Sequence, residues 1–98
     1  MTIYLDHAAA TPVDKNVAAA MEPYFTEKFG NPNSVNTEGQ IVKEALESAR
    51  SVIANILGAS SDEIIFVSSG TESINLAIKG FAFANKDCGN HIITTAVE

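Results

Sequence analysis

The chain has 98 residues, a length that suits one small domain or a piece of a larger one. Six Lys and Arg against twelve Asp and Glu give a formal net charge of −6, which excludes the basic footprint of a nucleic-acid or anionic-membrane binder. Hydrophobic residues reach 46% while charged ones stop at 18%, against about 25% in soluble domains, so part of the surface is expected to be covered by further protein and the chain to be a fragment.

One cysteine, Cys88, excludes an internal disulfide framework, and a lone Cys with two His offers no zinc spacing. The start, Met1 to Asp6, has neither the basic nor the apolar region of a signal peptide, and no apolar window is long enough to cross a bilayer. The expected location is cytoplasmic. No repeat, low-complexity tract or linker interrupts the chain, so residues 1–98 read as a single segment.

After a short apolar stub at residues 3–5, Thr11 and Pro12 have the chemistry of a helix cap and first helical position. Val13, Val17, Ala20, Met21, Tyr24 and Phe25 then follow helical spacing, and Pro23 should kink or end that helix near Glu22. Phe29 to Ser34 is rich in Gly, Asn and Pro and reads as a loop. From about Gly39 to Leu57 the apolar positions Ile41, Val42, Ala45, Leu46, Ala49, Val52, Ile53, Ile56 and Leu57 mark a long helix, stopped by Gly58. Glu63 to Val67 is a β-branched run, apolar on both faces, as in a central parallel strand. Ser68 to Glu72 breaks it and opens a third helix carrying Ile74, Ala77, Ile78, Phe81 and Ala82, which closes at Lys86 to Asn90. His91 to Val97 is a second β-branched run, so the last third reads strand, helix, strand, the unit of an incomplete α/β sheet.

The strand-to-helix turn holds the most chemistry. Small residues at Ser68, Ser69 and Gly70 let an anion approach the backbone, the first N–H groups of the helix are unpaired, and Ser and Thr hydroxyls add donors. A phosphate suits such a turn. Ser69 and Glu72 also fit a capping box, which needs no ligand, and both readings stand on the turn alone. Neither a Walker A sequence nor a dinucleotide fingerprint is present.

Five blocks, taken in order, carry a resemblance. Tyr4-Leu5-Asp6-His7-Ala8-Ala9-Ala10-Thr11-Pro12-Val13, Phe29-Gly30-Asn31-Pro32-Asn33-Ser34, Ala49-Arg50, Glu63-Ile64-Ile65-Phe66 with Ser68 to Ser73 and Asn75 to Gly80, and His91-Ile92-Ile93-Thr94-Thr95 resemble the N-terminal region of cysteine desulfurases. These belong to the class V aminotransferase group of pyridoxal-phosphate enzymes. The resemblance implies the N-terminal part of a fold-type-I transferase, with helices and the first strands of the large-domain sheet. Residues 1–58 would form an arm and helices, and residues 59–98 the start of the cofactor-binding large domain.

By the same resemblance, Thr71 and the amides around Gly70 and Thr71 hold the phosphate of pyridoxal 5'-phosphate, and Ser69, a departure from the family's usual Gly, would either crowd that phosphate or donate a hydroxyl to it. The substrate is L-cysteine, whose sulfur becomes an enzyme persulfide, leaving L-alanine, and passes to a sulfur-acceptor or scaffold protein for iron-sulfur cluster assembly or other transfer. The full enzyme would be a homodimer. Alternatives are a selenocysteine lyase, a small-molecule aminotransferase, or a non-catalytic phosphate- or partner-binding fragment.

The resemblance also implies roughly the first quarter of such an enzyme, ending one residue before its ring-stacking histidine and lacking its Schiff-base Lys and nucleophilic Cys. No catalytic residue is therefore assigned, and the chain alone should be inactive and poorly folded or self-associated. Ser69 stands where the family usually has Gly, Asn36 where a His often follows the Asn-Pro loop, and Ile74 where Asn or Asp is frequent. Cys88 reads as a loop thiol, Lys79 as a solvated helix charge, His7 and His91 as structural, and Glu72 as a cap.

Overall fold

The computed structural model describes residues 3–97. They form two compact units, one up to Glu63 and one from Ile64 onward. All regular structure among the described residues is helical: four α-helices and two short 3₁₀ turns.

In the first unit a turn at Asp6, whose carbonyl accepts from the Ala9 N–H at 3.1 Å and the Tyr4 hydroxyl at 2.9 Å, precedes helix α1, Lys15–Met21. This start lies later than Thr11 and Pro12, the expected one. Asp14 takes the cap instead, its carboxylate accepting from the Asn16 N–H at 2.8 Å. Pro23 then acts as expected: it has no N–H to continue α1, so Glu22 ends that helix and Pro23 opens a separate one-turn helix, α2, Pro23–Thr26.

Helix α3 spans Thr37–Leu57 and starts before the expected Gly39 because Asn36 caps it, its Oδ1 accepting from the Gly39 N–H at 2.9 Å. The preceding loop folds onto that end. Asn31 accepts the Asn33 N–H at its side chain (2.9 Å) and the Ser34 N–H at its carbonyl (2.9 Å), and Gln40 Nε2 donates to the Ser34 carbonyl at 2.9 Å. Two glycines permit the approach. A methyl on Gly39 would lie 2.6 Å from the Asn31 carbonyl oxygen and 2.7 Å from that of Ser34, and one on Gly30 would lie 2.7 Å from the carbonyl oxygen of Glu38. At the other end Gly58 turns left-handed at φ 67°, and the Ala59 N–H reaches the Ala54 carbonyl at 2.9 Å.

Glu63 does not open a strand. It ends a 3₁₀ turn, Ser61–Glu63, and its Oε2 accepts from both the N–H and the hydroxyl of Ser60, at 2.8 and 2.9 Å. Ala54, 2% exposed, is the one buried apolar side chain among the described residues, while Ile41, Val52, Ile56 and Leu57 of α3 stay exposed.

The second unit is built on α4, Gly70–Ala84, closed by Asn85, whose backbone N–H and Nδ2 both donate to the Phe81 carbonyl at 3.1 and 2.8 Å. A 3₁₀ turn, Lys86–Cys88, follows. Neither expected strand, 63–67 or 91–97, forms: among the described residues there is no β-ladder, and the second run ends in a turn at Ala96 and Val97. A strand's N–H and C=O groups point sideways, so a continuous ladder needs a whole neighbouring strand at about 4.8 Å.

The two glycine environments make opposite predictions. Ala has an intrinsic helix advantage over Gly of about 1 kcal/mol. Gly80→Ala in α4, where an added methyl meets nothing within 4 Å, should raise helicity measured by circular dichroism. Gly39→Ala should lower it, because the methyl drives the Asn31–Ser34 loop off the start of α3.

Candidate functional site

Residues 68–72 connect an irregular segment to α4, and their hydrogen bonds run back on themselves. Ser69 is extended (φ −161°, ψ 161°) and is the N-cap, its Oγ accepting from the Glu72 N–H at 3.2 Å. The Glu72 side chain turns back to Ser68, with Oε2 accepting from the Ser68 N–H at 2.8 Å and from the Ser68 hydroxyl at 2.6 Å. This is a capping box displaced by one residue: in the usual form the carboxylate returns to the N–H of the cap residue itself. The pattern of Ser69 and Glu72 foretold the first bond but not the use of Ser68. Ser60 and Glu63 form a similar serine-to-carboxylate pair before their 3₁₀ turn.

The donors between the clamped residues are left over. Among the described residues the N–H groups of Gly70 and Thr71, at the start of α4, have no hydrogen-bond partner, and neither does the Thr71 hydroxyl. The Thr71 carbonyl is engaged, accepting from Asn75 Nδ2 at 2.9 Å. Ser69 spends an oxygen lone pair on Glu72 and keeps its hydroxyl proton to donate. The three residues singled out in the sequence, Ser69, Gly70 and Thr71, are thus adjacent donors at the positive end of a 15-residue helix. That donor set, two amides and two hydroxyls, has the chemistry a phosphate group requires. Residues 68–72 are all exposed, so the turn is open to solvent.

The Ser68 hydroxyl first, and its N–H second, hold the Glu72 carboxyl below the usual carboxylate range. Glu63 is lowered the same way, by the N–H and then the hydroxyl of Ser60. At neutral pH both clamps are therefore closed by an ionised carboxylate.

Other sequence candidates stand apart from this turn in their roles. His7 packs edge-on against Tyr4, ring centroids 5.0 Å apart. Cys88 is exposed in the 3₁₀ turn, and its N–H donates to the Asn85 carbonyl at 3.0 Å. His91 and Cys88 line an open groove of about 930 Å³ whose walls are mainly apolar, among them Ile78, Phe81 and Ile92. Asn36 caps α3, and Ile74 is exposed on α4. No group of His, Cys, Asp and Glu among the described residues could hold a metal ion, and none of their helices is long and apolar enough to cross a membrane.

The sequence pattern of the family described as Aminotransferase class-V matches residues 3–98. Curated relatives named Cysteine desulfurase IscS are similar along nearly the whole chain. The protein from Dictyoglomus turgidum is 56% identical over 96 residues, 98% of this chain and 24% of the relative. The one from Methanosarcina thermophila is 54% identical with the same coverage, and the one from Rickettsia massiliae is 50% identical over 99 residues, 100% of this chain and 24% of the relative. The chain thus spans about a quarter of the length of the curated relatives it matches. No solved structure matches it.

The Glu72 clamp carries a pH signature. Its carboxyl titrates lower in the folded turn than the ordinary 4.5, so the clamp contributes fully above 4.5 and is lost as pH falls through the lower folded value. Amide NMR of Ser68 and Glu72 should show both resonances moving together in that acid window and staying constant above it.

Proposed function

The chain belongs to the aminotransferase class-V family, and from that premise we propose that the full-length protein is a pyridoxal-phosphate-dependent cysteine desulfurase with this chain as its N-terminal part. The observation that carries the reading is 50 to 56% identity to relatives named Cysteine desulfurase over at least 98% of the chain. The reaction balances simply: the carbon–sulfur bond of L-cysteine breaks, L-alanine leaves, and the sulfur inserts into the S–H of an enzyme thiol to give a persulfide. A sulfur-acceptor or scaffold protein takes it onward, for iron-sulfur cluster assembly or another transfer.

Bound pyridoxal 5'-phosphate supplies an electron sink for this chemistry. This chain's part is to hold the cofactor's phosphate. The N–H groups of Gly70 and Thr71 and the hydroxyls of Thr71 and Ser69 would donate to the phosphate oxygens, and the aligned peptide dipoles of α4 would favour its negative charge. The fold in this reading is α/β of fold type I, with residues 1–58 as an arm with helices and residues 59–98 beginning the large domain. The runs at 64–67 and 91–95 become strands once neighbouring strands pair with them. The working assembly is a cytoplasmic homodimer.

Purified full-length protein given L-cysteine and a reductant should release sulfide and alanine in equal amounts. Absence of sulfide with the cofactor bound would refute the desulfurase reading. Thr71→Ala removes one donor to a charged group, worth roughly 1.5 to 3 kcal/mol, and should weaken cofactor binding about tenfold to a hundredfold in a spectroscopic titration. Cys88→Ser should leave sulfide release unchanged, because that thiol sits in a turn after α4 rather than at the phosphate end.

A further inference from the structure

We propose that Glu72 is a positioning residue for the phosphate: its side chain, through Ser68, locks the turn in the shape that presents the donors of Gly70 and Thr71. The inference rests on the reading that residues 69–71 hold the cofactor phosphate, and it adds a residue that does not itself touch the ligand.

The geometry assigns the role. Three hydrogen bonds tie residues 68 and 69 to residue 72: the Ser68 N–H and hydroxyl to Glu72 Oε2 at 2.8 and 2.6 Å, and the Glu72 N–H to Ser69 Oγ at 3.2 Å. The Ser69 carbonyl adds a fourth link, accepting from the Ser73 N–H at 3.0 Å. Both donors that the Glu72 carboxylate takes within the turn lie on Ser68, so the donors of Gly70 and Thr71 stay uncommitted. All of these residues are exposed, and no packing holds the turn, so the hydrogen bonds must do it. Without the carboxylate, Ser68 would be ordered only when ligand binds, and that ordering would be taken out of the affinity.

The Glu72 charge is a counter-argument, since a carboxylate beside a phosphate repels it. Here two donors from Ser68 compensate that charge, and they hold the acid below its usual range. The role therefore needs the acceptor oxygen and not the charge. Gln in place of Glu keeps the oxygen and removes the repulsion.

The test uses the full-length apoprotein, with equilibrium titrations of pyridoxal 5'-phosphate and of pyridoxal, which lacks the phosphate. Glu72→Ala should weaken pyridoxal 5'-phosphate about fivefold to tenfold, comparable to ordering one residue's backbone on binding, and leave pyridoxal unchanged. Glu72→Gln should restore the affinity, and the ³¹P resonance of the bound cofactor should shift in Glu72→Ala and return in Glu72→Gln. Equal weakening of both ligands by Glu72→Ala would reduce Glu72 to general structural support and overturn the proposal. Tighter phosphate binding in both variants would make the carboxylate a competing anion and also overturn it. If both variants bind as the parent does while Thr71→Ala binds more weakly, the positioning role fails and the phosphate reading survives. If Thr71→Ala is unchanged too, the phosphate reading fails and takes this proposal with it.

Discussion

An α-helix closes its hydrogen bonds within its own segment, whereas a strand takes every partner from another one, and this difference governs the whole chain. The segments that can satisfy themselves, Lys15–Met21, Thr37–Leu57 and Gly70–Ala84, are helices. The two runs with the strongest β composition, Ile64 to Val67 and His91 to Thr95, belong to no ladder among the described residues. Helices still leave their first N–H groups unpaired, so the ends become the places where this protein does its local chemistry. Asp14, Asn36 and Ser69 each answer that need with a side-chain oxygen.

At α4 the answer is incomplete, and that is what makes the turn a candidate site. Ser69 satisfies Glu72 and the Glu72 carboxylate satisfies Ser68, but the amides of Gly70 and Thr71 are left pointing at the approach to the helix. At α3, by contrast, the residues before the helix pack down on its start, with Asn31 and Ser34 carbonyls pressed against Gly39. At α3 the preceding loop thus packs on the third residue of the helix, whereas residues 68–72 at the start of α4 are all exposed.

Apolar surface follows the same logic. The long stripe on α3 and the Ile78 and Phe81 face of α4 have helical periodicity meant for a partner, yet Ala54 alone among the described apolar side chains is buried. Phe81 is 74% exposed and Ile93 87%. The chain is 50 to 56% identical to relatives about four times its length.

What depends on neighbours a few residues away is legible in the sequence. It placed the break at Pro23, the stop at Gly58, the start of α4 at the Ser69-Gly70-Thr71 turn and the family, because proline chemistry, left-handed glycine and cap hydroxyls act locally and the five motif blocks are read in order. Cap choice is less legible: the sequence points to Thr11 where Asp14 takes the role, and it marks Asn36 only as a departure from the family, because several nearby side chains can serve and geometry selects one. The turn of Glu72 toward Ser68 is local as well, a choice between two adjacent serines, whereas the seating of Gly30 and Gly39 against facing carbonyls and the fate of the β-branched runs are not. These last two depend on where atoms distant in the local pattern come to lie, and for a strand those atoms belong to another segment altogether.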